Sequence, residues 1–170
     1  GPEWYSFDYK GGHFICLCSE DPNFRIGDVQ LKWLKEDLEK SKDARWTLVF
    51  LHKPLWFISE RYQSFGMFDK TQWPKVEKLL HGRKHTVFAG HTHHYAQFHR
   101  NGATYYQLAT TGGSSQLRGV PYGEFDHIMW LTMEPEGPYV VNLLLDGIVP
   151  GDKVTEETLA HFRKFLREAK

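Results

Sequence analysis

Two short apolar runs that each stop at histidine constrain this chain more than any other feature. Residues 47–51 read Thr-Leu-Val-Phe-Leu and end at His52; residues 87–89 read Val-Phe-Ala and end at Gly90-His91-Thr92-His93. A continuous apolar run this short, bounded by turn formers, is the signature of a strand covered on both faces. Strands of that kind occur in α/β architectures, where sites form in the loops beyond the strand ends. The expectation is therefore an α/β fold with these two strands side by side in one sheet and their histidines at its rim.

The rest of the pattern fits that frame. Residues 14–17 read as a further buried strand, entered from the turn Lys10-Gly11-Gly12. With Asp28 as N-cap, Leu31, Leu34 and Leu38 recur at helical spacing, while Lys32, Glu36 and Lys40 pair along the outer face. Trp73, Val76, Leu79 and Leu80 mark a second helix, in which Pro74 is tolerated because first-turn N–H groups have no helical partner. Between the two, residues 53–70 hold Pro54, Trp56, Phe57, Tyr62, Phe65 and Phe68 without either period, and are expected to be a loop that walls a site. Beyond His93 the pattern turns antiparallel. A hairpin is predicted around Asn101-Gly102, a Gly/Ser loop over residues 111–115, and a second hairpin around Glu136-Gly137-Pro138. A last helix starts at Thr155, with Leu159, Phe162, Phe165 and Leu166 as its docking face.

Charge excludes some functions. Twenty-one basic and 21 acidic side chains cancel, and no basic stripe stands out, so nucleic acid is not indicated as a partner. No apolar run approaches the roughly 20 residues of a membrane span, and no secretory signal opens the chain. Cys16 and Cys18, two apart in a strand, are expected to be core thiols.

His52, His91 and His93 are the candidate metal ligands. Imidazole binds zinc, manganese or iron, and a strand end holds it rigidly while leaving the ion open to water and substrate. Gly90 is expected to let the backbone turn sharply ahead of the pair. His13, His81, His85, His99, His127 and His161 read as ordinary core or surface residues, and His94 as a supporting neighbour at best.

Gly-His-Thr-His after an apolar strand, with a strand ending in His-Lys-Pro about forty residues upstream, resembles the last two signature motifs of the calcineurin-like metallophosphoesterases. The opening residues 1–9 with His13-Phe14-Ile15, and Ala109-Thr110-Thr111-Gly112-Gly113-Ser114, are similar to further segments of that family. The resemblance implies the C-terminal portion of a two-sheet αββα sandwich, with mixed sheets and flanking helices, over residues 1–150, and a docked helix over 151–170. It implies that His52 and His91 share one divalent ion and that His93 holds a second, the two serving hydrolysis of a phosphate monoester or diester. The family's Asp-x-His and Gly-Asn-His motifs have no match here. The chain is therefore expected to be truncated and inactive alone, with no catalytic acid assignable and with strand exchange or self-association at an exposed sheet edge. A parent protein that is secreted or periplasmic fits as well as any other. Two alternatives stand beside this reading: a mononuclear zinc enzyme using the same three histidines, and an inactive structural or binding fragment.

Overall fold

The computed structural model describes residues 2–168. The chain divides into two compact units, Gly1–Ala89 and Gly90–Lys170.

The first unit is built on four strands. β1 (Tyr5–Tyr9) runs antiparallel to β2 (Gly12–Leu17) through the turn at Lys10 and Gly11. Helix α1 (Asp28–Lys40) then carries the chain to β3 (Trp46–Leu51), parallel to β2. Helices α2 (Leu55–Ser64) and α3 (Trp73–Leu80) precede β4 (His85–Ala89), parallel to β3. The two apolar runs thus lie side by side, as their composition predicts. One face of the sheet is dry: Ile15, Leu17, Val49, Leu51, Val87 and Ala89 are all buried. Helix α1 closes over it with Leu34 and Leu38, each worth about 1.5–3 kcal/mol of burial. The helix is fixed to the strands by Asp37, which accepts from Ser6 Oγ at 2.6 Å and is bonded to His13 Nε2 at 2.9 Å.

Three details differ from the sequence reading. The N-cap of α1 is Gly27 rather than Asp28, which becomes the acidic first residue of the helix. The expected loop over residues 53–70 contains α2, because Leu55, Trp56 and Ser59 form a buried i, i+1, i+4 stripe whose signal is masked by apolar residues on the other sides. Trp56 is 1% exposed and meets Trp73 at 5.9 Å between ring centroids. Cys16 and Cys18 are free and half-buried rather than core thiols, since the face on which Cys16 stands is not fully covered.

The second unit begins with the histidine turn and continues as a hairpin of β5 (Ala96–Arg100) and β6 (Ala103–Gln107). Asn101 (φ 50°) and Gly102 (φ 78°) both occupy the left-handed region that a two-residue primed turn requires. A 3₁₀ turn at Val120–Tyr122 leads to an antiparallel meander of β7 (Ile128–Glu134), β8 (Gly137–Leu144) and β9 (Gly147–Pro150), the third strand being one that the sequence reading lacks. The last helix, α4 (Glu156–Glu168), starts where Thr155 Oγ1 accepts from the N–H of Thr158. Leu159 is buried as predicted; the side chains of Phe162, Phe165 and Leu166 lie outside the described residues. Tyr95, fully buried, organises this core. Its ring packs on Phe125 and His127 at 5.5 Å each, and its hydroxyl donates to the Gly151 carbonyl at 2.6 Å. No helix among the described residues is long and apolar enough to cross a membrane.

Candidate functional site

The segment after β4 is not extended. The Thr92 N–H donates to the Gly90 carbonyl at 2.9 Å, closing a three-residue γ-turn around His91, whose φ is 73°. A γ-turn with positive φ is the rare, strained kind. His93 follows at φ 58°. The sharp bend that the sequence reading gave to Gly90 is therefore carried by the two histidines themselves. Non-glycine residues in this region cost about 1–3 kcal/mol each and persist only where their surroundings hold them.

Those surroundings are specific. His93 Nδ1 donates to the Ser114 carbonyl, which fixes the proton on Nδ1 and leaves the lone pair on Nε2. Gly113 stands beside the same ring; a Cβ there would lie 3.7 Å from His93 Cε1 and 3.1 Å from the Thr110 methyl. His94 Nδ1 bonds the Thr92 carbonyl at 2.7 Å, and its Nε2 lies 2.8 Å from Glu124. Glu124, buried, also takes a two-pronged contact from the Arg118 guanidinium, through Nε at 2.8 Å and through Nη2. The Arg118 fork, with further help from His94, outweighs burial and holds the Glu124 carboxyl down to about 2. The neighbouring Asp126 accepts from Thr110 Oγ1 at 2.6 Å and from the Gly112 N–H at 2.9 Å, bonds that lower its pKa as well. Thr111 Oγ1 donates to the His127 carbonyl at 2.7 Å. The Gly/Ser loop is thereby stitched to residues 124–127.

His52 belongs to the first unit, exposed just beyond the end of β3; His91, also exposed, and His93, half-buried, share the turn of the second. Next to His52, Lys53 is buried, paired with Glu20 at 2.5 Å and set over the Phe24 ring at 3.1 Å. Among the described residues, no three or more His, Cys, Asp or Glu side chains gather as a group that could hold a metal ion. Three other histidines have polar partners: His13 is clasped between Asp8 at 2.8 Å and Asp37, His85 bonds the Arg83 carbonyl, and His127 bonds Asn142 Oδ1 at 2.8 Å. Burial lowers the pKa of both His85 and His127.

Two constellations escaped the sequence reading, Asp8–His13–Asp37–Ser6 and His94–Glu124–Arg118. The first depends on the β1–β2 register and on which side of α1 faces the sheet. The second carries a local signal, since Arg118 and Glu124 flank Gly119 and Gly123, both at positive φ, which fold them back on each other.

No family model matches the chain, and no curated protein matches it. Among solved structures it is similar to GAP50, the anchor in the inner membrane complex of Plasmodium, with a TM-score of 0.55 and 14% identity. The match covers 94% of this chain and 59% of that one. It shows a mixed α/β, phosphoesterase-like fold. The resemblance to the calcineurin-like metallophosphoesterases as a family is overturned by the same findings. Its motifs draw no family match, and a structure that the fold meets is an anchor. The physical reason lies in the motif itself, because Gly-His-Thr-His and a strand-end histidine are short enough to accompany a fold without specifying the chemistry performed on it.

Proposed function

We propose that the chain is a structural or binding part of a phosphoesterase-like fold and not a self-sufficient hydrolase. The observation that carries this reading is the state of two carboxylates of the second unit, one bonded to the histidine turn and one to the Gly/Ser loop. Glu124 is bound to Arg118 and His94, and Asp126 is bound to Thr110 and Gly112. A pair of divalent ions needs negative ligands between them to offset their repulsion, and imidazoles supply none. Drawing Glu124 away to a metal would strand the Arg118 charge and break a buried hydrogen-bonded pair. The likeness to an anchor protein points the same way. So does the β7–β9 sheet, which leaves Ile128, Trp130, Tyr139 and Ile148 about 60% exposed or more, a surface suited to contact with another polypeptide.

The test measures zinc and manganese per chain after dialysis, together with hydrolysis of a chromogenic phosphate monoester and diester. Fewer than one ion and no turnover are expected. Two retained ions, or turnover lost in His93→Ala, would overturn the reading.

One observation favours a second reading, in which a whole protein hydrolyses a phosphate ester with the help of a divalent ion held at His93. The Ser114 carbonyl fixes the His93 proton on Nδ1 and leaves Nε2 as the donor atom, the arrangement of a metal-binding imidazole oriented by a backbone acceptor. An ion held there would supply Lewis acidity. The residues of this chain would orient it and contribute no negative charge.

A further inference from the structure

Helix α2 does more than bury Trp56 against Trp73. Its Phe57, Arg61 and Tyr62 line a hollow together with Phe65 and Met67, just past the helix, and Phe24, from the segment between β2 and α1. The cavity measures about 430 Å³ and belongs wholly to the first unit. Phe57, Phe65 and Met67 are each about half exposed or more, so it is open to solvent. Phe24 is set in place from behind. Asn23 and Phe24 stand in succession at φ 49° and 59°, a conformation that residues with side chains keep only where their surroundings hold them. Lys53 Nζ, paired with Glu20, lies over the Phe24 ring at 3.1 Å from its centroid. Four of the lining side chains are thus aromatic rings and a fifth is a methionine, whose thioether packs well against rings. Among the described residues that line the hollow, Arg61 alone is charged, and among the described residues it is in no ion pair.

We infer that this hollow is a binding site for a small aromatic carboxylate, one or two fused rings carrying a single acid group. Three observations select that class. The volume falls in the lower part of the roughly 300–1,000 Å³ of small-molecule sites, which suits a compact ligand and not a folded partner. The rings of Phe24, Phe57, Tyr62 and Phe65 offer a planar aromatic guest offset or edge-on contact, which contributes beyond the area it covers. The Arg61 guanidinium, planar and permanently charged, matches a carboxylate through two parallel N–H···O bonds, and it would repel a cationic guest. The site uses no residue of the histidine turn or of the Glu124 cluster. It therefore stands whichever way the metal and turnover measurements fall.

Met67 is the reporter, because it lines the hollow while the other methionines, Met129 and Met133, stand on β7 of the second unit. The chain, isotopically labelled at its methionine methyl groups, is titrated with naphthoate and followed by NMR, the Met67 signal being assigned from Met67→Leu. The expected result is a ring-current shift of Met67 that saturates at one ligand per chain, with Met129 and Met133 unmoved. Calorimetry then compares naphthoate with the neutral naphthylmethanol. Arg61→Gln should weaken the acid by about tenfold and change the alcohol by less than about twofold. Phe57→Ala should weaken both by about fivefold. Both side chains are exposed, so neither substitution should move the melting temperature by more than about 3 °C. A Met67 signal unmoved up to about 5 mM naphthoate, or shifts of all the methionines together, overturns the inference. So does an equal loss of acid and alcohol in Arg61→Gln, which would make the hollow a general apolar patch with no preference for an acid.

Discussion

Replacing Trp56 by alanine tests whether the aromatic segment after His52 is core or the wall of a site. Trp56 is 1% exposed and packed against the equally buried Trp73. Truncating a buried tryptophan removes its transfer free energy and leaves a cavity, about 3–5 kcal/mol in all. Alanine returns at most about 0.7 kcal/mol of helix propensity, so the net loss should be near 3–4 kcal/mol. Phe57, its neighbour in α2, is 49% exposed, and its truncation should cost about 1 kcal/mol before the same propensity gain. For a chain of this length each kcal/mol moves the melting temperature by about 2–4 °C, giving a drop of about 6–16 °C for Trp56→Ala and less than about 3 °C for Phe57→Ala. Urea unfolding followed by far-ultraviolet circular dichroism, which does not depend on the indole removed, reads both. Equal costs, or a larger cost for Phe57→Ala, would refute the packing assigned to α2 and return the segment to the role of an exposed wall.

Three further outcomes follow from the second unit. Gly123→Ala should destabilise by about 2 kcal/mol or more, because Gly123 sits at φ 68° and an added Cβ would lie 2.4 Å from the Tyr95 carbonyl oxygen; thermal unfolding reads the loss. Glu124 has a native pKa of about 2 against an ordinary 4.5, so its contribution to stability is complete above 4.5 and is lost as pH falls towards 2; Glu124→Gln should flatten the melting temperature against pH in that window, and an unchanged slope would remove the Arg118 pairing from the account. His91→Gly should raise the melting temperature, by relief of about 1 kcal/mol of strain at φ 73°, and a fall would show that the side chain itself holds the turn.

What could be read in the sequence was whatever a single segment determines. β3 and β4 announce themselves as apolar runs, the Asn101-Gly102 hairpin by its turn chemistry, and α1 and α3 by their leucine spacing. β1 carried a clean alternation, Tyr-Ser-Phe-Asp-Tyr, that was legible and went unread as a strand. α2 was not legible in the same way: Leu55, Trp56, Phe57 and Ile58 are apolar in succession, so the periodicity that separates a buried face from an exposed one is blurred until Trp73 shows which side is covered. The candidate site divides likewise. The histidine turn was found because it follows a strand. The partners that hold it are 20 or 30 residues away, Ser114 on His93 and Glu124 on His94, and nothing in the turn itself points to them.

That division bears on what the turn is for. A metal can impose geometry on ligands that are otherwise loose, and then the strain is met by metal–ligand bonds. Here the unusual backbone at His91 and His93 is held by the protein's own bonds: Thr92 to Gly90, His93 to Ser114, and His94 to a carboxylate already clamped by Arg118. Each is made entirely within the second unit. The turn is thus braced from within the protein, and removing any ion should leave it as it is. A turn preorganised in this way suits either task that the fold can take up, presenting Nε2 of His93 to an ion or presenting a rigid surface to a partner. The choice between them falls to groups outside the turn, and the carboxylates within reach of it are spent on holding it together.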